Sequence, residues 1–127
     1  MQFSQITLTT TADGKENTVT HRGKMSLTDS PIRLTYTEEG ASVGMEIDND
    51  CVRLIRKGDY ELELRLEKGK KSTGKIGFGG SFGDISTFTH SLALSQKEDA
   101  ILLTLRYDLL ISGEIQQVKL RLYAKYI

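Results

Sequence analysis

The chain has 127 residues, of which 38% are hydrophobic and 27% are charged, with 17 basic and 17 acidic side chains. A chain of this length and composition can bury a sizeable core without disulfides or metals, and we expect one domain over residues 1–127. Zero formal net charge argues against a general binder of nucleic acid or of anionic membranes, because both need a basic excess.

The start of the chain lacks a basic segment followed by an apolar run, and its apolar runs are too short to span a bilayer. The sequence therefore predicts a cytoplasmic protein. Cys51 is the single cysteine, so no disulfide forms within the chain. A lone thiol in a strand-like run is more typical of a small buried side chain than of a nucleophile.

Apolar and polar residues alternate with a period of two along the whole chain, which is typical of antiparallel strands with one wet face. Short polar turns such as Asp13-Gly14 and Asp48-Asn49-Asp50 separate the runs. The alternating runs, in order, lie at Ile6–Leu8, Val19–Met25, Ile32–Tyr36, Val43–Ile47, Val52–Arg56, Tyr60–Leu66, Ile85–Leu94, Ile101–Ile111 and Val118–Tyr126.

Nine or ten strands joined by short turns favour a meander, because each strand can pair with its neighbour in sequence. A meander of this length either leaves long edges or closes on itself, and closure removes the edges. We therefore predict an all-β fold, a single up-and-down antiparallel β-barrel of about eight to ten strands. A two-sheet sandwich is the alternative.

The stretch Phe78–Gly83 combines three glycines with two aromatic residues between strand-like runs. It lacks the Lys-Ser/Thr pair and the helix that a phosphate-binding loop requires. We interpret it as a corner where the barrel bends, with Phe78 and Phe82 rimming or plugging one end.

Three landmarks follow in order: Tyr36-Thr37-Glu38, Arg56-Lys57-Gly58 and the corner from Phe78 to Gly83. With this spacing the chain, from about Val19 to Leu122, resembles the YwiB-like family of small uncharacterised bacterial calycin-like (lipocalin-like) barrels, found largely in Gram-positive bacteria. The family pattern has proline where this chain has Ser81, and an aromatic residue where it has Leu64 and Leu66. The resemblance implies a closed or nearly closed eight-stranded barrel and supplies no established activity.

Several polar residues share the apolar, inward face of their strands: His21, Tyr36, Glu38 and Arg56. The Arg56 fork suits a carboxylate or phosphate, and ligand barrels place a few polar groups in an apolar cavity. We predict non-enzymatic binding of a small anionic or amphipathic ligand in the barrel. Its candidate residues are Arg56, Glu38, Tyr36 and His21, with Phe78 and Phe82 at the rim.

The alternative is a structural or protein-interaction module with a filled core. Glu38 and Arg56 end strands that are separated by one neighbour, about 10 Å apart, so their long side chains can meet and neutralise one another. The interior then holds no pocket, and a protein partner or homo-oligomer is compatible with this alternative.

No catalytic, metal or cofactor site is expected. His21 and His90 have no cysteine or acidic residue at a metal-ligand spacing, and no nucleophile elbow is present. His90 faces inward with Leu92 and Leu94 unless a bulge shifts the register and turns it outward. The last strand carries a basic row of Lys119, Arg121 and Lys125 around Tyr123, which we interpret as a solubilising exterior, not a nucleic-acid site.

Overall fold

Ten β-strands and no helix form the fold in the computed structural model, which describes all 127 residues. The nine alternating runs each lie within a strand, and the chain before Gly79-Gly80 forms the tenth. No helix with the length and apolarity needed to cross a membrane is present. The strands are β1 (Gln2–Ala12), β2 (Lys15–Ser26), β3 (Ile32–Glu38), β4 (Ala41–Ile47), β5 (Cys51–Lys57), β6 (Tyr60–Glu67), β7 (Lys71–Phe78), β8 (Ser81–Gln96), β9 (Ala100–Ile111) and β10 (Glu114–Tyr126).

Every strand pairs antiparallel with the next, and β1 pairs with β10 to close the barrel. The closing ladder runs from Ser4 opposite Tyr126 to Ala12 opposite Val118. The prediction of a closed up-and-down barrel is confirmed, and the strand number is ten where the resemblance implied eight.

Tight turns lie at one end of the barrel, which we call the hairpin end; it comprises the β1–β2, β3–β4, β5–β6, β7–β8 and β9–β10 connections. Asp13-Gly14, Glu39-Gly40, Gly79-Gly80 and Ser112-Gly113 each have positive φ at both positions, between 48° and 88°. That backbone is the two-residue turn whose twist matches paired strands. The stretch Phe78–Gly83 is therefore a β-hairpin turn, which corrects the expected corner between two halves of the barrel.

The barrel interior is filled with packed apolar side chains. Leu34, Leu66 and Leu103 are among those that lie fully inside, and a single core cluster of 20 buried residues links the strands. Such interiors pack to the density of organic crystals and leave few voids. The inward faces expected from the alternation form this core.

The end opposite the hairpins is covered by the chain between β2 and β3. Leu27 is buried there, its N–H donates to the Tyr126 hydroxyl at 2.8 Å, and its carbonyl accepts from Gln96 Nε2 at 3.2 Å. These bonds attach the connection to β10 and β8, so this end of the core is sealed.

The barrel wall is uneven in height. Strands β3 to β7 have seven or eight residues, whereas β1, β2, β8, β9 and β10 have 11 to 16. The β2–β3 seam is short as a result: only Gly23–Ser26 pair with Arg33–Tyr36, while β2 pairs with β1 from Lys15 to Met25. The segment of β2 from Lys15 to Arg22 therefore has a strand on one side only.

A β-bulge interrupts the β8–β9 ladder at His90. Thr89 pairs with Tyr107 and Ser91 with Arg106, so His90 is the extra residue. At the same place Thr89 exchanges backbone hydrogen bonds with Gly69 and Lys70 in the β6–β7 turn. The bulge turns His90 outward while Leu92 keeps its inward position, which is the alternative that the sequence left open for His90.

Candidate functional site

Four of the candidate residues, His21, Tyr36, Glu38 and Arg56, meet inside the hairpin end. The rings of His21 and Tyr36 stack with centroids 4.7 Å apart and planes 18° from parallel. Glu38 Oε2 lies 3.7 Å from Arg56 Nε. The inward parity of β2, β3 and β5 therefore gathers these residues into one cluster.

Arg56 is buried and held by its own hairpin. Its Nη1 donates to the Tyr60 carbonyl at 2.9 Å, its Nη2 lies 3.0 Å from Asp59 Oδ1, and the guanidinium lies 3.7 Å from the centre of the Tyr60 ring. Its Nε, however, has no hydrogen-bond partner, because Glu38 is too distant for one. Glu38 contributes charge near Arg56 but not a hydrogen bond.

The cluster is electrostatically closed to an anion. One guanidinium faces two carboxylates, those of Glu38 and Asp59, so its charge is more than balanced. Burial by itself lowers the pKa of Arg56, but the hydrogen bond to Asp59 and the neighbouring negative charges outweigh burial and raise it. The same hydrogen bond lowers the pKa of the Asp59 carboxyl, so the pair stays ionised.

Tyr36 stays neutral at the centre of the cluster. Burial raises the pKa of its phenol, the charge of Glu38 raises it further, and Arg56 opposes both. Nε2 of His21, which stacks on Tyr36, is buried without a hydrogen-bond partner.

The two aromatic residues of the β7–β8 hairpin face different directions. Phe78 shares the inward parity and packs on Tyr60 at the rim, with ring centroids 5.7 Å apart. Phe82 lies on the outer face over Gly77, where an added Cβ would come within 2.6 Å of the ring. Both rings are more than 60% exposed. They rim the hairpin end without plugging it.

A concavity that touches Arg56 lies on the outer face of β5, β6 and β7, where outward residues such as Ile55, Glu61 and Phe82 line it, and its volume is about 70 Å³. Sites for small molecules usually occupy about 300–1,000 Å³. This space therefore lacks the size of a small-molecule site.

A much larger concavity, of about 1020 Å³, lies outside the barrel across β2, β3, β4 and β5. We call it the outer groove. Gly44 forms part of its floor, and no atom lies within 4 Å of where a Gly44 side chain would begin. The backbone of β3 separates the groove from the inner cluster, since the outward residues beside Tyr36 line one side and the Tyr36 ring points to the other.

Three kinds of side chain line the outer groove. The hydroxyls come from outward positions of β3 and β4, and the apolar groups come from β1, β5 and the chain end. The cations of the groove are Arg22, Lys24 and Lys57, and its hydroxyl residues are Thr35, Thr37 and Ser42. Its large exposed or half-buried apolar residues are Phe3, Ile55 and Ile127.

The groove cations have no ionic partner, and no acidic residue lines the groove. Lys24 instead lies 5.2 Å from the centre of the Phe3 ring. Elsewhere on the outer surface of β3 to β6, arginines pair with glutamates, as Arg53 does with Glu46 and Glu63. The groove is therefore a locally positive, partly apolar surface on a chain without net charge.

A second outer concavity, of about 730 Å³, contains His90 and Asp108. His90 Nε2 lies 2.9 Å from Asp108 Oδ2, and the His90 ring meets Phe88 edge-on at 4.9 Å. His90 hydrogen-bonds no hydroxyl or thiol, so the dyad has no nucleophile attached. No group of three or more His, Cys, Asp or Glu side chains that could hold a metal ion is present.

The outer groove is the feature that sequence reasoning missed. Its lining residues come from four strands and from both ends of the chain, and their polar side chains individually match a wetted barrel exterior. A signal was available at Gly44, because glycine within a strand often marks a place where something approaches the backbone.

Two comparisons place this fold among known proteins. The family described as a domain of unknown function (DUF1934) matches residues 3–122. The crystal structure of the ywiB protein from Bacillus subtilis is similar, with a TM-score of 0.84 at 15% sequence identity, over 99% of this chain and 92% of that one. At this identity the likeness shows the fold alone. No curated protein gives a significant match.

The family match covers nearly the whole barrel, from β1 to the inward-facing Leu122 of β10. It agrees with the order of landmarks from Tyr36 to Gly83 on which the resemblance depends. The chain therefore belongs to the DUF1934 family, to which the YwiB-like barrels are related by fold.

Proposed function

We propose that the protein is a non-enzymatic binding protein and that it holds an amphipathic organic anion in the outer groove, not inside the barrel. The proposal keeps the class of ligand that the sequence favours and changes its location. Arg56, Glu38, Tyr36 and His21 then stabilise the hairpin end, and Phe78 and Phe82 form its rim.

The packed interior supports this change of location. The core cluster fills the barrel, and at the hairpin end His21 stacks on Tyr36 while Arg56 lies against Glu38 and Asp59. An anion entering there would meet the carboxylates of Glu38 and Asp59 before it gained a free guanidinium.

The observation that carries the proposal is the set of unpaired cations around an apolar floor. Lys24 on β2 and Lys57 on β5 lie on opposite sides of the groove, separated by about three strand spacings, or about 14 Å. Between them lie Gly44 and Ile55, which offer apolar surface without a competing acid. A molecule with an apolar body and a carboxylate, sulfonate or phosphate group matches this arrangement.

The test uses 1-anilinonaphthalene-8-sulfonate, an amphipathic anion whose fluorescence rises in apolar surroundings. We expect saturable binding to the folded protein and competition by dodecanoate. The double variant Lys24→Glu/Lys57→Glu should raise the dissociation constant of the probe about tenfold or more, because two favourable charges become repulsive.

The matched control is Lys119→Glu/Lys125→Glu, which makes the same change in net charge on the outer face of β10 at two residues that do not line the groove. It should bind the probe as the unaltered protein does. Equal weakening in both double variants would show a general charge effect, and unchanged binding in the groove variant would overturn the assigned site.

A second role, that of a protein-interaction module, is also supported by the filled interior. The surface that favours it is not the groove but the open edge of β2.

A further inference from the structure

Strand β2 has an unpaired edge between Lys15 and Arg22. Its other edge pairs with β1 over this whole length, whereas pairing with β3 begins only at Gly23. Tyr36 stands opposite Gly23, so Thr37 and Glu38 at the end of β3 lie level with Arg22 and His21 without pairing to them. From Thr20 back to Lys15, β2 extends beyond the end of β3. The chain is a closed barrel with one open seam.

An unpaired edge offers hydrogen bonds to another strand. In an antiparallel strand every second residue directs its N–H and C=O to the same neighbour, so this edge exposes several unused donors and acceptors. Residues 15–20 are all exposed, and Val19 is 37% exposed although it shares the inward parity of Met25. No element of the chain pairs with this edge.

Natural sheets protect open edges with proline, inward charges or very short strands. This edge has no proline, and its one charged residue of inward parity, Lys15, stands at its far end. Glu16 and Arg22 belong to the outward parity, with Thr18 and Thr20. The segment is long enough for a full strand pairing.

We propose that two copies of the chain pair antiparallel through this edge, about a two-fold axis at Val19. The proposal rests on the open edge of β2 and shares one residue, Arg22, with the outer groove. Pairing about Val19 places outward residues opposite outward residues, as a continuous sheet requires. The pairs in this register are Val19 with Val19, Thr18 with Thr20, Asn17 with His21 and Glu16 with Arg22 of the second copy.

The sequence of the edge is self-complementary in this register. Glu16 faces Arg22 of the second copy, and the two-fold axis repeats that opposite-charge pair. Val19 meets its own copy and gains cover that β3 does not provide. The hydroxyls of Thr18 and Thr20 come together, as threonines already do on this face between β1 and β2 at 3.0 and 3.2 Å.

The neighbouring registers lack this complementarity. Pairing about Thr18 places Glu16 opposite Thr20, and pairing about Thr20 places Arg22 opposite Thr18, so neither forms the ion pair. The length of the segment also fits, because pairing about Val19 ends at Arg22, one residue before the ladder with β3 begins at Gly23.

The experiment measures the oligomeric state of the full chain by sedimentation velocity over about a hundredfold range of concentration. We expect a reversible dimer. Arg22→Glu places the new glutamate opposite Glu16 of the second copy, and the two-fold axis repeats this repulsion. It should raise the dissociation constant of the dimer about tenfold or more. Glu16→Arg alone should do the same, and the exchanged pair Glu16→Arg/Arg22→Glu should restore dimerisation.

The matched control is Lys24→Glu, the same change of charge on the same face of β2 but beyond the open edge, where β3 is paired. It should leave the dimer unchanged. A chain that is monomeric over the whole range, or a dimer that tolerates both single changes, would overturn the proposal. So would a failure of the exchanged pair to restore a dimer that each single change weakens. Glu16→Arg leaves every cation of the outer groove in place, so its effect on the dimer is distinguishable from an effect on probe binding.

Discussion

The guanidinium of Arg56 lies 3.7 Å from the centre of the Tyr60 ring while its Nη1 donates to the Tyr60 carbonyl at 2.9 Å. The two residues lie on either side of the β5–β6 turn, so Arg56 closes its own hairpin from within. Asp59, in the turn between them, completes the contact at 3.0 Å. Arg56 is thus tied to its local turn more closely than to Glu38, the partner expected from strand parity.

This arrangement predicts unequal effects of removing the two charges. Arg56→Ala deletes a charged hydrogen bond and the contact with Tyr60, and we expect it to lower the free energy of unfolding by about 2–3 kcal/mol. Glu38→Gln should lower it by less than about 1 kcal/mol, because the Glu38 side chain is 39% exposed and makes no hydrogen bond to Arg56. Urea denaturation measures both.

Arg53→Ala is the control for Arg56→Ala, since it removes an exposed arginine with two glutamate partners from the same strand. It should lower the free energy of unfolding by less than about 1 kcal/mol. Equal losses for Glu38→Gln and Arg56→Ala would show instead that their ion pair holds the hairpin end together.

How far the sequence predicts this structure can be judged from β3 and β5. Alternation alone places Tyr36 and Arg56 inside and brings Glu38 to within 3.7 Å of Arg56, because parity and strand spacing are short-range properties. The role of Asp59 was not foreseen, because it depends on which rotamer the turn allows. The groove was missed for another reason: its residues become neighbours only after β2 to β5 curve around the closed barrel.

Burial of Tyr107 makes stability depend on alkaline pH. Burial raises the pKa of Tyr107 to about 12, whereas an unfolded chain has the ordinary tyrosine value of 10.0. The folded state therefore favours the protonated phenol. The contribution of the neutral Tyr107 phenol to the free energy of unfolding is fully present below about pH 10. It is lost as the pH rises towards the folded pKa, at about 1.4 kcal/mol per pH unit.

The variant Tyr107→Phe removes this dependence. Between about pH 9 and pH 11 we expect it to lose about 1 kcal/mol less stability than the unaltered protein does. Urea midpoints at the two pH values provide the measurement. Tyr123→Phe, which changes an exposed tyrosine, should follow the unaltered protein. Parallel pH profiles for Tyr107→Phe and the unaltered protein would contradict the assignment.

The bulge at His90 predicts an unusual tolerance to deletion. Removing His90 joins Thr89 to Ser91, whose partners Tyr107 and Arg106 are already adjacent, so the ladder becomes regular without moving a core side chain. We expect the shortened chain to fold. Its stability should fall modestly, because the deletion removes the His90–Asp108 contact and alters the backbone hydrogen bonds at Thr89. Circular dichroism and thermal unfolding measure this.

Deleting Ala93 is the matched control. The bulge can absorb this deletion only by turning Leu92 from the core to the surface, and Leu92 is buried. Loss of a buried leucine contact costs about 2–5 kcal/mol. If the two deletions were equally harmful, His90 would have a structural role beyond the extra position in the ladder.

The β7–β8 turn can be stabilised by a residue that fits its backbone. Gly79 has a φ of 53°, a value that asparagine tolerates, and nothing lies within 4 Å of an added Cβ. Asn-Gly is the favoured pair for this turn type, and Gly79→Asn should add about 0.4–1 kcal/mol by restricting the unfolded chain. Gly77 lies two residues before Gly79 and under the Phe82 ring. Gly77→Ala should therefore lower the free energy of unfolding, because the added Cβ would collide with the ring. Chemical denaturation of both variants tests whether the turn or the ring packing limits stability.

Gly44 offers the sharpest separation between the fold and the proposed groove. It lies within β4, its φ is not in the left-handed region, and no atom lies within 4 Å of an added Cβ. Gly44→Val suits a strand and should leave stability unchanged or slightly raised, because valine has a higher β-propensity than glycine. The same side chain projects into the groove and should weaken binding of 1-anilinonaphthalene-8-sulfonate about tenfold or more. A Gly44→Val protein that is stable and still binds the probe with unchanged affinity would place the ligand elsewhere, since the added side chain occupies the groove floor without altering any of its cations.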